Sequence, residues 1–118
     1  MTDDSRRIVR RSDDTSRFVP YDRYGKAVPG LSWINMSLDL ETGCGSYLLR
    51  LEPGYSSLPH EHVGHEDFLV VDGELIDDDG SVFRQGDFVS FRPGTIHSST
   101  TRTGCTLAVF LRTANRLI

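Results

Sequence analysis

Residues 54–73 read GYSSLPHEHVGHEDFLVVDG, the most informative segment of the chain. It places His60, His62 and Glu66 at even spacings in a segment of extended character. Side chains alternate between the two faces of a strand, so these three point the same way if the chain stays extended through Gly64. Two imidazoles and a carboxylate on one wall suit a first-row divalent metal, whereas calcium takes more oxygen ligands. The spacing therefore predicts a metal site.

A second stretch supplies a fourth ligand. Residues 86–97 read GDFVSFRPGTIH, which predicts a strand, a Pro-Gly turn and a histidine entering the next strand. A single strand histidine is more often a partly buried or solvated residue than a ligand. In a chain that also carries two histidines and a glutamate at even spacings, we favour the ligand interpretation, because chance rarely provides such a joint pattern. His97 is therefore the predicted fourth ligand.

These two stretches resemble the two sequence motifs of the cupin superfamily. The first motif, G-x5-H-x-H-x3-E-x6-G, is matched at every specified position, namely Gly54, His60, His62, Glu66 and Gly73. The resemblance implies an all-β fold, a single-domain cupin barrel of the double-stranded β-helix or jelly-roll type. It also implies that the metal ligands are His60, His62, Glu66 and His97.

The second motif, G-x5-P-x-G-x2-H-x3-N, is matched only in part. Gly86, Gly94 and His97 fit, while Arg92 stands at the place of the first proline and Thr101 at that of the asparagine. Neither departure changes the ligand position, which is still a histidine, His97. They concern the local turn and the surroundings of the site, because Arg92 restores an N–H donor and a charge that proline lacks.

Within the superfamily, residues 43–111 are similar to the C-terminal cupin domains of ChrR-type anti-sigma factors and to acetylacetone dioxygenase. The resemblance implies one divalent ion per chain, with Fe²⁺ or Zn²⁺ favoured and Mn²⁺ or Ni²⁺ open. The first hypothesis is a non-haem metal-dependent oxygenase acting on a small enolisable diketone or similar compound. The alternatives are a non-catalytic zinc-sensing or ligand-sensing module and a metal-assisted isomerase or lyase. His65 departs from this group, which usually has a glycine there.

Several further residues are predicted around the ion. Phe68 and Val70 share the parity of the ligands, and Val70 is expected to belong to the barrel core. The residues expected to line a substrate pocket are Tyr47, Leu49, Phe68 and Phe91. No catalytic group beyond the metal ligands is predicted. The acidic run 77–80 is expected to form a solvated hairpin turn, because its aspartates are too close together for a twelve-residue calcium loop.

The chain organisation agrees with one small β-domain. Residues 1–16 alternate arginine and aspartate pairs with almost no apolar content, which predicts a flexible N-terminal arm. From there, short β-like segments separated by Pro-Gly and Asp-Gly turns predict a sandwich or barrel over 17–118. A chain of 118 residues is long enough for a single core.

The composition of the chain predicts which classes of partner it binds. A formal charge of −4 and a pI near 5.4 argue against a nucleic-acid-binding face. No apolar run spans a bilayer and the first residues lack a signal peptide, so we expect a cytoplasmic protein without membrane contact. We also expect a small-molecule ligand and a homodimer formed through sheet edges. Cys44 and Cys105 lack Cys-x-x-Cys spacing and are interpreted as two small buried residues, although the sequence leaves a disulfide between them open.

Overall fold

The computed structural model describes residues 6–13, 15–62 and 64–112. In these ranges it contains a short 3₁₀ helix, Thr15–Arg17, and ten β-strands. The strands are β1 Val19–Pro20, β2 Leu31–Asn35, β3 Gly45–Leu51, β4 His60–Glu61, β5 Glu66–Asp77, β6 Val82–Arg84, β7 Phe88–Phe91, β8 Ile96–His97, β9 Ser99–Thr100 and β10 Cys105–Leu111.

All strand pairings are antiparallel. The main sheet runs in the order β1-β2-β3-β10-β5-β6, with β7 and β9 also paired to β5, while β4 and β8 form a separate two-stranded sheet. β5 is the longest strand and carries the curvature, because its first half pairs with β10 and β7 and its second half with β6 and β9. The prediction of an all-β cupin fold is confirmed.

The core lies on the inner face of this curved sheet. Tyr47, Val109 and Phe68 occupy one register row across β3, β10 and β5. All three are buried, as expected where alternating apolar side chains of neighbouring strands point to the same side. Trp33 on β2 and Tyr21 pack beside Tyr47 in an aromatic cluster, with 5.0 Å between the ring centroids of Trp33 and Tyr21 and 5.6 Å between those of Trp33 and Tyr47. The aromatic end of the barrel is therefore continuous with the core.

A β-bulge divides β5. On β10, Leu107 opposes Val70 but the next residue, Thr106, opposes Asp72, so one residue of β5 is extra. Glycine is required just beyond the bulge, because Gly73 has φ of 77° and a Cβ there would collide with the carbonyl oxygen of Gly104. The extra residue switches the inward-facing parity of β5 from even positions before the bulge to odd positions after it.

The two cysteines are free thiols. Cys105 is buried, as predicted, but Cys44 is exposed, so that half of the interpretation is wrong. Cys105 faces Leu51 at one end of the β3–β10 ladder, whereas Cys44 precedes the other end. Seven extended residues separate the two positions by about 20 Å. This separation is far beyond the reach of a disulfide.

The outer face of the main sheet carries exposed apolar side chains. They include Leu69, Val71, Phe88 and Phe110. The homodimer expected from the sequence stays a prediction, as does the division between arm and barrel at residue 16. Residues 1–5 and 14 of the proposed arm lie outside the described residues. Within the described ranges, no helix has the length and apolar character needed to cross a membrane.

Candidate metal centre

Two short strands bring three histidines together. In the β4–β8 ladder His60 is directly opposite His97. The contact between the two segments continues through His62, whose N–H donates to the carbonyl of Thr95 at 2.9 Å and whose carbonyl accepts from the N–H of Gly94 at 2.7 Å. The second stretch is thereby folded back over the first. This pairing places imidazoles that are 35 or more residues apart in sequence on one side of the ladder.

The spacing of the imidazoles suits a single ion. One nitrogen from each of His60, His62 and His97 lies within 4.8 Å of the other two. Ligand nitrogens bonded to one ion at about 2.1 Å are about 3.0–4.2 Å apart, from adjacent to opposite positions. Small side-chain movements would therefore bring the three nitrogens into coordination.

The hydrogen bonding of the imidazoles also indicates a metal site. Both ring nitrogens of His62 and Nε2 of His97 are buried, and within the described part of the chain they have no hydrogen-bond partner. Buried polar atoms are almost always paired, because leaving one unpaired costs about 1–3 kcal/mol. Two neighbouring histidines with unpaired buried nitrogens fit a divalent metal, since one nitrogen of each ring can bind the ion directly through its lone pair. The nitrogen donors therefore suit a first-row divalent metal ion.

Glu66 stands beside this triad. Its Oε2 lies 3.2 Å from Nε2 of His62, without the directionality of a hydrogen bond. The path to Glu66 differs from the prediction, because the chain does not stay extended through Gly64. β4 ends at Glu61, a bend follows at Gly64, and β5 begins at Glu66. The expected continuous strand is therefore wrong. Glu66 still lies beside His62, but it is outside the group of three histidines, and its role as a ligand stays a prediction.

Asp77 was missed by the sequence analysis. Its Oδ1 accepts a hydrogen bond from Nδ1 of His97 at 2.8 Å, and both side chains are less than 10% exposed. The prediction of a solvated turn is therefore wrong for Asp77, although Asp78 and Asp79 are exposed. A proton held on Nδ1 leaves the Nε2 lone pair of His97 available to a metal. Asp77 thus fixes the tautomer and the ring orientation of His97.

The two residues that depart from the second cupin motif, Arg92 and Thr101, do not disturb the local backbone. Thr95 N–H donates to the carbonyl of Arg92 at 3.3 Å, and the intervening Gly94 has φ of 85°. Pro93 followed by a glycine with positive φ is typical of a type II turn, in which the residue at the place of Arg92 is unrestricted. Thr101 is fully buried, and its hydroxyl donates to the carbonyl of Glu74 at 2.6 Å. It anchors a loop rather than the histidines.

A cavity of about 520 Å³ opens beside the triad. His60, Glu66 and His97 form part of its wall, and three of the four predicted pocket residues, Tyr47, Leu49 and Phe68, line it as well. Phe91 is not among the lining residues. Its ring packs on the imidazoles of His97 and His62, at centroid distances of 4.1 and 5.0 Å. It supports the ligands from behind instead of facing a substrate.

The surroundings of His60 favour the neutral form of its imidazole, which is the form that binds a metal. Its pKa lies below the ordinary value of 6.5, first because burial disfavours the imidazolium and second because His97 is close. A lowered pKa means that the neutral imidazole, the form that binds metals, predominates at pH 7. His65, in contrast, lies outside the group of three histidines.

An all-β fold whose histidines converge on and beside two short strands defines the molecule as a cupin with a candidate metal site. A family model for the ChrR cupin-like domain matches residues 14–115. The chain belongs to this family. No curated protein sequence matches the chain.

Solved structures share the fold at low sequence identity. Acetylacetone dioxygenase from Acinetobacter johnsonii superposes with a TM-score of 0.73 at 16% identity, covering 100% of this chain and 86% of that one. A cupin-like protein of unknown function from Ralstonia eutropha has a TM-score of 0.73 at 18% identity, with 88% and 73% covered. The Rhodobacter sphaeroides complex of SigE with the anti-sigma ChrR contains a chain with a TM-score of 0.64 at 22% identity, with 85% and 51% covered. These likenesses establish the fold alone.

Proposed function

We propose that this chain is a non-haem metal-dependent oxygenase acting on a small enolisable diketone or a similar compound. The observation that carries the proposal is the position of the triad, since His60 and His97 form part of the wall of a mostly apolar cavity. Three imidazoles leave coordination positions free for a small ligand. A structural zinc site, in contrast, is closed by four protein ligands.

The residues have separate tasks in this proposal. His60, His62 and His97 bind the ion, and Asp77 holds the His97 ring in place. When bound, ferrous iron would supply oxygen activation and a Lewis acid for the two oxygens of an enolised diketone. The apolar wall, which includes Leu49 and Phe68, excludes water from the bound ligand.

A second candidate function rests on Glu66. Its carboxylate lies 3.2 Å from His62 Nε2, close enough to complete a set of three nitrogens and one oxygen. Such a set would bind zinc tightly and leave less room for a substrate at the ion, which suits a zinc-sensing module or one that senses a ligand in the adjoining cavity. Membership of the ChrR cupin-like family supports this alternative. The same donors also suit a metal-assisted isomerase or lyase.

Metal content and oxygen consumption separate these functions. The protein is purified anaerobically, reconstituted in parallel with Fe²⁺ or Zn²⁺, and assayed for oxygen uptake with a panel of small diketones. We expect iron-dependent uptake that disappears in His60→Ala and persists in His65→Ala, the matched histidine outside the triad. Tightly held zinc without oxygen uptake on any substrate would reject the oxygenase and favour the sensing module. Conversion of a diketone without oxygen uptake would favour the isomerase or lyase.

A further inference from the structure

One cationic side chain reaches the cavity at its aromatic end. Arg23 lines the same cavity as His60 and His97 and is half-buried. Its guanidinium lies 5.0 Å from the ring centroid of Tyr24 and 5.6 Å from that of Tyr47. One of its nitrogens, Nη1, donates to the hydroxyl of Tyr47 at 3.4 Å. The aromatic rings therefore fix the position of the arginine against the cavity wall.

The charge of Arg23 is not neutralised by its neighbours. Among the residues that the structure describes, no carboxylate forms an ion pair with Arg23, whereas Arg102 and Arg112 pair with Glu74 and Asp67. The surrounding phenols stay protonated. Burial raises the pKa of Tyr24 to about 12 and that of Tyr47 well above 10. Packing on the rings offsets part of the cost of burying the guanidinium but leaves its charge without a counter-ion, so an anion would bind there favourably.

The rest of the cavity wall does not supply that anion at the arginine. Apart from Arg23 and Glu66, the lining consists of apolar, aromatic, hydroxyl and imidazole side chains. Glu66 lies beside His62, and its charge also acts on Tyr24 and Tyr47, but it forms no ion pair with Arg23 and would offset only part of a divalent ion. With an ion bound, the cavity would carry a net positive charge from both ends. Its complement is an anionic ligand.

We propose that Arg23 is a specificity-determining residue that binds the carboxylate of a substrate whose dicarbonyl group lies at the histidine triad. The substrate class is therefore an acylpyruvate-like dioxo acid rather than a neutral diketone. A guanidinium suits this role because its planar fork presents parallel N–H groups to both oxygens of a carboxylate. Tyr47 and Tyr21 hydrogen-bond to part of the guanidinium, and its remaining N–H groups are left for the ligand. This inference rests on the proposed function for the dicarbonyl end of the ligand.

Binding of matched probes tests this assignment without turnover. The probes are 2,4-dioxopentanoate and its methyl ester, which differ in the carboxylate charge, together with acetylacetone, in which a methyl group replaces the carboxylate. Affinities are measured by calorimetry on apo and Zn²⁺-loaded protein. We expect the acid to bind at least about tenfold more tightly than the ester, because a hydrogen-bonded charge pair is lost in the ester. The same preference is expected in the apo protein.

Variants assign the preference to the arginine. Arg23→Met should abolish it and Arg23→Lys should retain part of it, whereas Arg50→Met should leave it unchanged. Arg50 is the matched control because its guanidinium also packs on an aromatic ring, that of Phe18 at 4.0 Å, but does not line the cavity. Equal affinity of the wild-type protein for acid and ester would overturn the inference even if no variant folds. So would an acid preference that survives in Arg23→Met or disappears in Arg50→Met. The proposed function fails separately, on the absence of iron-dependent oxygen uptake with both the diketone panel and 2,4-dioxopentanoate.

Discussion

Neutralising Asp77 should weaken metal binding through an imidazole that the aspartate orients. The hydrogen bond from His97 Nδ1 is 2.8 Å long and both side chains are buried, so water cannot replace the carboxylate. A hydrogen bond to a charged group is worth about 1.5–3 kcal/mol, and each 1.4 kcal/mol changes an affinity about tenfold. We therefore expect Asp77→Asn to lower the affinity for Zn²⁺ about tenfold and Asp77→Ala about a hundredfold, the range found for residues that orient metal ligands.

The assay is competition with a chromogenic chelator at fixed pH, accompanied by chemical unfolding of each apo variant to separate metal affinity from folding. Asp78→Asn is the control, because it removes the same charge from the adjacent position. Asp78 is exposed and accepts from the backbone N–H of Ser98 at 3.2 Å, so it touches no imidazole. Unchanged affinity in Asp77→Asn would refute the orienting role. An equal loss in Asp78→Asn would show that the effect is only the general charge of the hairpin.

The remaining predictions concern ligands, pH and the bulge. His60→Ala or His97→Ala should remove most bound metal while His65→Ala does not, as measured by elemental analysis; equal loss in all three would contradict the assignment. Because the pKa of His60 is lowered from 6.5, its neutral ligating form persists below that value, and occupancy should fall only as pH drops through about 6 to 5. Unchanged occupancy at pH 5 would count against a histidine site of ordinary affinity. Gly73→Ala should lower the free energy of unfolding in urea by about 2–5 kcal/mol, through left-handed backbone and collision with a carbonyl. Gly80→Ala, with φ of 88° but open space at its Cβ, should cost only the backbone part, and an equal loss in both would reject the collision.

Much of the site was predictable because its signal is local. His60, His62 and the turn before His97 carry spacing and turn chemistry that can be recognised within about a dozen residues. Those three histidines lie together in the structure. Asp77 could not be recognised in the same way, because strict alternation from Glu66 assigns position 77 to the opposite face. The bulge near Gly73 reverses that parity, and it depends on the register with β10, which no local pattern contains.

The roles of Arg23 and Phe91 in the structure could not be predicted from the local sequence either. Arg23 lies in a polar, loop-like segment, and only the folding of that segment over the barrel brings it to the cavity. Phe91 has the expected hydrophobic character, yet its ring packs on two imidazoles rather than facing the cavity. In both cases the chemistry of the residue is evident from its type. Its neighbours follow only from tertiary packing, which joins segments far apart in the chain.

The small β4–β8 sheet has a dynamic consequence. Its paired registers are only His60 with His97 and Glu61 with Ile96, and an isolated two-stranded ladder is marginally stable in water. An ion held by His62 and His97 would act as a cross-link between positions 35 residues apart. Without it, this corner should open locally while the main sheet stays closed. Amide hydrogen exchange at residues 60–62 and 95–97 would then report metal occupancy, with the amides of β3 and β10 as an internal reference.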